Sequence, residues 1–334
     1  MSVSLVQFLR FALALLLAGA VACRPAQDSR AELAVLKLGY FANLSHAQAV
    51  LGVESGAYAQ ALAPCRLETK IFNAGPSLIE ALNAGEIDVG YVGPGPALNA
   101  WIKSKGLGLR IISGGAANGV VLVVSSQSGI TKLAELKGRR LATPQLGNTQ
   151  DIAARWQLKF ALQQDNLDNV LPIPNAEQLK MMERGQIDAA WSPEPWATRL
   201  IQEAGGKLLM EEKTLWPTQE FSLTVVITRP EFLAAHPQEI AALLKQHARL
   251  TGELNSEPDK LVPALAAEIS KLAGKTIQAT LISNALKRVK FTNDPMPDSL
   301  KIQSEHAFDL GLYKEAGDLR GMVDVHLLPA PSTP

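Results

Sequence analysis

The 334-residue sequence has few cysteines, few aromatic residues and no excess of either charge. Two cysteines are too few for a fold held together by several disulfide bridges. The 32 basic residues balance the 32 acidic ones, whereas proteins that bind nucleic acid normally carry a basic excess that displaces counterions. We therefore expect no nucleic-acid partner. At roughly 150 residues per domain the length indicates about two domains, and a hydrophobic content of 47% suffices for their cores.

Long apolar runs are scarce, and the first of them, Phe11 to Ala22, lies near the N-terminus directly after Arg10. A basic flank, a core of this length and small residues before a cleavage point are typical of a secretory signal, because a membrane span needs about 20 apolar residues. We interpret residues 1–22 as a signal peptide. No later segment reaches about 18 apolar residues without a charge. We therefore expect the mature protein to be exported and not to span the membrane.

The apolar run ends in the sequence AVAC, which is similar to the site at which bacterial lipoproteins are cleaved and lipidated. We expect Cys23 to carry the lipid and residues 23–34, which are mostly polar, to form a tether; ordinary cleavage near Ala22 is the alternative. A lipidated Cys23 leaves Cys65 without a disulfide partner, as a small packing residue. The expected location is the periplasm or the outer face of the cytoplasmic membrane.

Two stretches, 82–91 and 182–191, match at an offset of 100 residues. Each predicts a helix that ends at a glycine, Gly85 or Gly185, followed by a short buried strand and a proline-rich loop. The repeat extends backwards through further strands and helices in each copy, so each unit has the order βαβαβ. Alternation of this kind builds a parallel sheet.

The sequence therefore predicts an α/β fold with two lobes, each a mainly parallel sheet flanked by helices. Two β-branched runs, 120–124 and 222–228, bracket the second unit, and in the simplest topology they carry the chain out and back as a two-strand hinge. We expect lobe 1 to comprise residues 35–119 and 225–334, and lobe 2 to comprise residues 120–224. Helical spacing in the last third predicts helices that complete lobe 1 and brace the hinge.

Six loops are candidates for ligand binding, because ligands of open parallel sheets bind at the carboxyl ends of the strands. There, helix N-termini direct free N–H groups and the positive end of the dipole towards the ligand. The loops are 41–46, 73–77, 93–96, 144–151, 174–177 and 192–196. None of them contains lysine or arginine. An anion would therefore depend on helix dipoles, backbone N–H donors and neutral side chains.

Four segments carry a resemblance to a known family: GPSLIEAL at 75–82, YVGPGPALNA at 91–100, PQLGNTQD at 144–151 and PEPWA at 193–197. They resemble the periplasmic substrate-binding proteins of ABC importers for aliphatic sulfonates, a family that also has taurine- and nitrate-binding members. The resemblance implies the two-lobed, type II periplasmic binding protein fold, which closes on its ligand. It further implies a small sulfonate-like anion as ligand, delivered to a membrane permease that a separate ATPase powers. We expect a monomer without cofactor or metal.

The expected ligand-binding residues come mainly from these loops. They are Asn43, Ser77, Gly95, Asn118, Gly147, Asn148, Thr149, Gln150, Glu194 and Trp196. The segment 147–149, which opens a helix, is the best candidate for a cradle around the head group. An ordinary N-cap at Asn148 or Thr149 is the alternative, and both can hold together.

Other polar and aromatic residues leave two interpretations open. Trp196 forms either the wall of a pocket for the ligand's tail or an aromatic contact between the lobes. Glu194 either meets an ammonium group or caps the following helix, and we favour the cap. His46 is a further candidate in the first loop. Asp88 and Asp188, which match across the repeat, are expected to bond local backbone and not ligand.

We expect this protein not to be an enzyme. The five histidines are scattered without metal-ligand spacing, and the sequence has no Gly-x-Ser-x-Gly motif. Some relatives of this fold make a pyrimidine precursor and are marked by a cysteine-rich cluster, which the sequence lacks. The alternative is a protein of the same fold that binds or converts a pyrimidine or another heteroaromatic compound.

Overall fold

The computed structural model describes residues 34–314 and 317–330. The predicted signal peptide, the predicted lipidation site Cys23 and the tether up to residue 33 lie outside the described residues. From Val35 onwards the described chain forms one compact unit that contains two β-sheets. Within residues 34–314 and 317–330, none of the helices has both the length and the apolar character needed to cross a lipid bilayer.

The described residues form eleven strands and twelve α-helices. The strands are β1 Val35–Phe41, β2 Arg66–Phe72, β3 Val89–Val92, β4 Arg110–Asn118, β5 Val120–Ser125, β6 Leu141–Thr143, β7 Val170–Pro172, β8 Ala189–Pro193, β9 Gly206–Glu211, β10 Ser222–Thr228 and β11 Val289–Phe291. The helices are α1 Ala47–Glu54, α2 Ala57–Leu62, α3 Gly75–Asn83, α4 Pro94–Lys103, α5 Thr149–Trp156, α6 Asn175–Glu183, α7 Trp196–Gln202, α8 Pro230–Ala235, α9 Pro237–Ser256, α10 Pro258–Ala273, α11 Ala279–Leu286 and α12 Pro297–Asp309. Short 3₁₀ turns lie at Leu44–His46, Leu133–Leu136 and Glu212–Leu215, and a π-helical turn follows α5 at Gln157–Ala161.

The two sheets repeat one arrangement of strands. The first has the order β11-β4-β10-β3-β1-β2 and the second has the order β7-β6-β8-β5-β9. In each, a parallel trio (β2-β1-β3 or β7-β6-β8) is extended by a strand that runs antiparallel to it (β10 or β5). We call the first sheet with α1–α4 and α8–α12 the first lobe, and the second sheet with α5–α7 the second lobe. The two-lobed α/β prediction from the repeat is confirmed. The prediction that each sheet is mainly parallel is wrong, because β4, β10 and β11 of the first sheet and β5 and β9 of the second pair antiparallel.

The chain crosses between the sheets twice. It leaves the first sheet at Asn118 and Gly119, between β4 and β5, and it returns through residues 212–221. The two β-branched runs do not pair with each other: β5 lies between β8 and β9 of the second sheet, and β10 lies between β3 and β4 of the first. The crossings therefore lie beside these runs and not within them.

Strand β5 shows why such a continuous apolar run forms a central strand. Val121 and Val123 pack on one face of the sheet, against Leu179 and Leu200 of the helices there. The alternate residues of the strand pack on the other face, in the cluster that contains Trp191. Because both faces are covered, the strand carries no polar alternation.

Asp88 and Asp188 bond to backbone at equivalent places in the two lobes, but the prediction of a local partner is wrong, because the partners lie 51 and 48 residues earlier in the chain. Asp88 accepts the backbone N–H of Lys37 at 2.9 Å, and Asp188 accepts that of Arg140 at 2.9 Å. Each carboxylate thus links the last strand of its parallel trio, β3 or β8, to the beginning of the central strand, β1 or β6. Cys65 is a free, buried residue.

The C-terminal helices complete the first lobe and also reach the second. α9 and α10 pack on α1, whereas α11 contacts α7 and α12 contacts α5 of the second lobe. At the α12 contact the indole of Trp156 stacks on His306 with ring centroids 3.9 Å apart, and its Nε1 donates to Asp309 at 3.0 Å. These helices therefore join the two lobes beside the crossings.

Candidate functional site

A cleft of about 450 Å³ lies between the two lobes. All six predicted loops contribute to its wall, together with β10 and the end of α10. The lining residues are Phe41, Ala42, Asn43, Ser45, His46, Phe72, Asn73, Ala74, Gly75, Gly93, Pro96, Pro144, Gln145, Asn148, Thr149, Gln150, Pro174, Asn175, Ala176, Pro193, Trp196, Leu223, Thr224, Leu272 and Ala273.

Five α-helices of at least eight residues begin at this cleft, among them α1, which directly follows the lining residue His46. Lining residues stand at the first position of α3 and α6, Gly75 and Asn175, and directly before α4 and α5, Gly93 and Asn148. The first N–H groups of a helix have no partner within it, and the helix dipole adds a partial positive charge there. The cleft wall therefore presents positive potential, and the starts of α3, α5 and α6 add N–H donors. The start of α4 adds none, because Pro94 and Pro96 have no N–H and that of Gly95 is bonded to Thr149.

The cleft wall carries no formal charge at neutral pH. Among its lining residues, all in the described part of the chain, there is no aspartate, glutamate, lysine or arginine. The single titratable group is His46, whose pKa burial lowers to about 3. Its Nδ1 accepts the N–H of Phe41 at 3.3 Å, and its ring stacks on that phenyl ring at 4.4 Å between centroids. His46 is therefore a neutral, aromatic part of the wall.

The start of α5 is organised around the buried carboxylate of Asp151, which does not line the cleft. Asp151 accepts hydrogen bonds from Thr143 Oγ1 at 2.7 Å and from the Gly147 N–H at 2.9 Å, and it pairs with Arg155 Nε at 2.9 Å. The side chain of Asn148 caps the helix by accepting the Asp151 N–H at 2.8 Å. The Gly147 N–H is thus engaged inside the loop, and the predicted N-cap at Asn148 is confirmed.

Thr149 connects the two lobes at the cleft. Its Oγ1 accepts the backbone N–H of Gly95, at the start of α4 in the first lobe, at 3.1 Å. The hydroxyl proton of Thr149 is left for another acceptor, because this oxygen is already an acceptor to Gly95. A Cβ on Gly93 would lie 2.5 Å from Thr149 Oγ1, so the glycine permits this close approach of the helix starts.

Five of the ten predicted ligand-binding residues line the cleft: Asn43, Asn148, Thr149, Gln150 and Trp196. Asn43 also accepts the N–H of Leu44 at 2.8 Å, which caps the 3₁₀ turn. Trp196 begins α7, and the guanidinium of Arg199 lies 4.5 Å from the centre of its ring. That these five contact a ligand stays a prediction.

The other five predicted residues lie outside the cleft lining: Ser77, Gly95, Asn118, Gly147 and Glu194. Ser77 donates its hydroxyl to the Ala74 carbonyl at 2.9 Å. Asn118 has φ 63° at the first crossing, and its Oδ1 accepts the N–H of Phe221 at 3.3 Å. The amides of Gly95 and Gly147 are engaged with Thr149 and Asp151.

Glu194 lies away from the cleft surface because other groups satisfy its carboxylate. The group is fully buried and accepts hydrogen bonds from the Thr198 N–H at 3.0 Å and from the Thr198 hydroxyl at 2.9 Å. Arg288 of the first lobe lies 2.9 Å away. Burial is the main influence and raises the pKa of Glu194. The interpretation of Glu194 as a cap of the following helix agrees with these contacts.

Several polar lining residues were not predicted. They are Ser45, Asn73, Gln145, Asn175 and Thr224. Asn73, Gln145 and Asn175 each follow the end of a parallel strand, which is the signal that could have found them. Within the described residues, no group of three or more histidine, cysteine, aspartate or glutamate side chains is arranged to hold a metal ion.

The sequence matches proteins that are named as binding proteins. A binding protein of Brucella abortus is 27% identical over 181 residues, which cover 53% of this chain and 54% of that protein. The chain thus spans about half the length of this relative. The taurine-binding periplasmic protein of Escherichia coli is 24% identical over 235 residues, with 70% of this chain and 69% of the relative covered.

Solved structures show the same fold. The alkanesulfonate-binding protein of Xanthomonas axonopodis pv. citri, bound to MOPS, superposes with a TM-score of 0.71 at 22% identity, covering 87% of this chain and 98% of that one. The periplasmic nitrate-binding protein of Synechocystis PCC 6803 gives 0.76 at 15% identity, covering 89% and 87%. The fold is therefore that of the periplasmic binding proteins.

The model of the NMT1-like family matches residues 29–271. This match includes both sheets except β11, and it includes every residue that lines the cleft apart from Leu272 and Ala273. The chain belongs to the NMT1-like family.

Proposed function

We propose that this protein is the extracytoplasmic solute-binding component of an ABC importer. It binds a small organosulfonate or a related anion in the cleft and delivers it to a membrane permease that a separate ATPase drives. The observation that carries this proposal is the convergence of five helix N-termini on a cleft without charged side chains. The named relatives and structural neighbours, which bind taurine, alkanesulfonate or nitrate, support it.

A sulfonate fits the chemistry of this wall. It is a strong acid that stays ionised, so its oxygens only accept hydrogen bonds. Helix N–H groups and the Thr149 hydroxyl supply donors without a lysine or arginine. Recognition of a phosphate dianion would more often use arginine in a paired geometry, and no arginine is present in the described cleft wall.

The transport role sets the location and the motion. We place the protein outside the cytoplasm, as a monomer anchored through a lipid on Cys23. An anion held by donors of both lobes favours the arrangement in which the lobes are close, so binding shifts a hinge equilibrium that the permease recognises. The contact of Gly95 with Thr149 is a place where the two lobes already meet.

Binding or conversion of a heteroaromatic compound is the second candidate. The Phe41–His46 stack and Trp196 give the cleft flat aromatic surfaces on which a ring could lie. The structure of a desulfurization enzyme also superposes, with a TM-score of 0.64 at 16% identity, covering 88% of this chain and 97% of that one. We favour a binding protein, because the matched relatives are named for binding.

A thermal unfolding screen separates the two candidates. A ligand at 100 times its dissociation constant adds about 2.7 kcal/mol to the free energy of unfolding. We expect stabilisation by alkanesulfonates, taurine or nitrate and none by pyrimidines. Stabilisation by heteroaromatic compounds alone, together with their turnover, would establish the second candidate instead.

A matched pair of variants at Asn148 locates the anion. Aspartate and serine both retain the capping oxygen that asparagine offers to Asp151, so Asn148→Asp and Asn148→Ser keep the helix start intact. Only the aspartate places a negative charge in the cleft wall. We expect Asn148→Asp to weaken sulfonate binding by at least about tenfold relative to Asn148→Ser, measured by calorimetry. Equal affinities would place the anion elsewhere.

A further inference from the structure

The imidazole ring of His46 has one nitrogen engaged and one free. Its Nδ1 accepts the Phe41 N–H at 3.3 Å, and burial lowers the pKa of His46 to about 3, so the single ring hydrogen of the neutral form lies on Nε2. No group in the described chain bonds to this Nε2, and the atom is not enclosed, unlike the unpaired oxygens of Gln145 and Asn175. His46 is only 2% exposed and lines the cleft. Its Nε2 therefore offers an N–H donor to the cleft.

Asn43 offers a second donor from the same 3₁₀ turn. The backbone N–H of His46 donates to the Asn43 carbonyl at 3.0 Å, which closes the turn. The side-chain Oδ1 of Asn43 accepts the Leu44 N–H at 2.8 Å, whereas its Nδ2 bonds to no group in the described chain and is not enclosed. Asn43 is 9% exposed and also lines the cleft. In both residues a backbone N–H occupies the acceptor atom and leaves the donor for a ligand.

The second lobe has a similar pair of donors at the start of α5. Asn148 caps the helix through Oδ1, and its Nδ2 likewise bonds to no group in the described chain. Thr149 accepts the Gly95 N–H and keeps its hydroxyl hydrogen for another acceptor. Asn148 and Thr149 line the same cleft as Asn43 and His46. Each lobe therefore offers two side-chain donors to one space.

The chemistry of the first-lobe donors favours the anionic group of the ligand over its tail. An apolar tail against Nε2 of His46 would leave a dehydrated N–H without an acceptor, which weakens binding. A hydroxyl or ammonium end would bring further hydrogens to atoms that are themselves donors. Sulfonate oxygens carry no hydrogen and only accept. The start of α1, directly after His46, adds the positive end of a helix dipole.

We propose that His46, as the neutral tautomer with its hydrogen on Nε2, and Asn43 are the first-lobe hydrogen-bond donors to the anionic group of the ligand. The inference rests on the proposed function and names the residues that bind the sulfonate in the first lobe. With Asn148 and Thr149 they hold the anion between the lobes by neutral donors alone. The bond from the Phe41 N–H to Nδ1 fixes the tautomer that makes His46 a donor.

NMR of the native protein observes the proposed bond directly. In a sample with ¹⁵N-labelled histidine, a long-range ¹H–¹⁵N spectrum distinguishes the two neutral tautomers and the protonated ring. At pH 7 His46 is expected to carry its hydrogen on Nε2, and saturation with butane-1-sulfonate is expected to shift that resonance without a change of tautomer. His236 and His326, which do not line the cleft, are expected to stay unchanged. The spectrum of His46→Gln assigns the signal. A hydrogen on Nδ1, or an Nε2 resonance that bound sulfonate does not move, overturns the inference.

Two variants at His46 separate the donor from the ring. His46→Phe keeps an aromatic ring beside Phe41 but removes the N–H, and its affinity for butane-1-sulfonate is expected to fall at least about tenfold by calorimetry. His46→Gln retains a neutral N–H donor and is expected to lose less. The matched control is His236→Phe, because His236 stacks on Phe232 at 4.5 Å between centroids, as His46 does on Phe41 at 4.4 Å, but lies outside the cleft lining. It is expected to bind as the native protein does.

A pair of variants tests Asn43 in the same way. Asn43→Asp and Asn43→Ser both retain an oxygen that caps the turn, but only the aspartate replaces the NH₂ donor by a negative charge. Asn43→Asp is expected to bind butane-1-sulfonate at least about tenfold more weakly than Asn43→Ser. Native affinity in His46→Phe and Asn43→Asp, or equal losses in His46→Phe and His46→Gln, overturns the inference and leaves the proposed function standing. Absence of binding to the native protein overturns the proposed function for alkanesulfonates, and the inference with it.

Discussion

The carboxylate of Glu194 and the guanidinium of Arg288 join the two lobes, with 2.9 Å between Oε1 and Nη1. Glu194 directly follows β8 in the second lobe and stands two residues before Trp196 of the cleft wall. Arg288 directly precedes β11 of the first sheet. The pair therefore links the cleft wall of the second lobe to the edge of the first sheet. A second tie, between Lys275 and Glu203 at 3.1 Å, is more exposed to solvent.

Removal of Arg288 is expected to destabilise the protein strongly at neutral pH. Arg288→Met leaves Glu194 buried without its cation, and breaking a buried pair in this way costs about 3–5 kcal/mol. The loss is expected to shrink at pH 5, because Glu194 without its partner takes up a proton more readily. Urea unfolding at both pH values measures this. The control is Lys275→Met at the exposed pair, where about 0–1 kcal/mol is expected. Equal losses in the two variants would contradict a buried interlobe tie.

The hydroxyl of Thr149 is expected to matter for both lobe contact and ligand affinity. Thr149→Val keeps the shape of the side chain but removes the acceptor for the Gly95 N–H and the hydroxyl donor of this lining residue. We expect sulfonate affinity to fall by at least about tenfold, by calorimetry. Thr149→Ser retains the hydroxyl and is expected to bind nearly as the native protein does. A full loss in the serine variant would assign the effect to packing of the methyl group.

Gly93 is expected to permit the approach of the lobes through its lack of a side chain. Its φ of −68° suits alanine, so Gly93→Ala does not strain the backbone. The added Cβ would stand 2.5 Å from Thr149 Oγ1, which forces the helix starts apart. Affinity is therefore expected to fall in Gly93→Ala. In a Thr149→Ala background the same change is expected to have a much smaller effect, which a double-mutant cycle measures. Additive effects would show that the contact is unimportant.

The fold and the position of the cleft follow from local signals in the sequence. The six loops line the cleft because strand ends and helix starts have short-range signatures. Asp88 and Asp188 bond where the repeat places them. The strand ends and helix starts depend on residues that are near one another in the chain, whereas the bonds of Asp88 and Asp188 reach back 51 and 48 residues and follow from the repeat.

Features that depend on contacts between distant segments were not predicted. Glu194 turns away from the cleft because Arg288, 94 residues later, pairs with it. Asn118 lies at a crossing and bonds to Phe221, which the strand pattern does not show. The unpaired oxygens of Gln145 and Asn175 become visible only when every neighbouring donor is placed. The direction in which each of these side chains points could therefore not be predicted from the sequence.

Glu212 is expected to make stability depend on pH near neutrality. It lies in the second crossing and is buried, and its carboxylate accepts Trp191 Nε1 at 2.6 Å and Trp216 Nε1 at 3.2 Å. Burial raises its pKa from 4.5 to about 7, and the two indole hydrogen bonds oppose that rise. The folded protein thus holds a proton that the unfolded chain releases at lower pH.

The sign of the effect follows from that difference in proton binding. The contribution of Glu212 to the free energy of unfolding is fully present below pH 4.5 and is lost as pH rises through about 7, a change of about 3 kcal/mol. His46, His247 and His306 act in the opposite sense below pH 6.5, because burial lowers their pKa values to about 3, 4 and 4. Urea unfolding of the native protein and of Glu212→Gln between pH 4.5 and 8 isolates Glu212, since the histidines are common to both. The native protein is expected to lose stability relative to the variant as pH rises. A constant difference between the two would show that Glu212 does not titrate in this range.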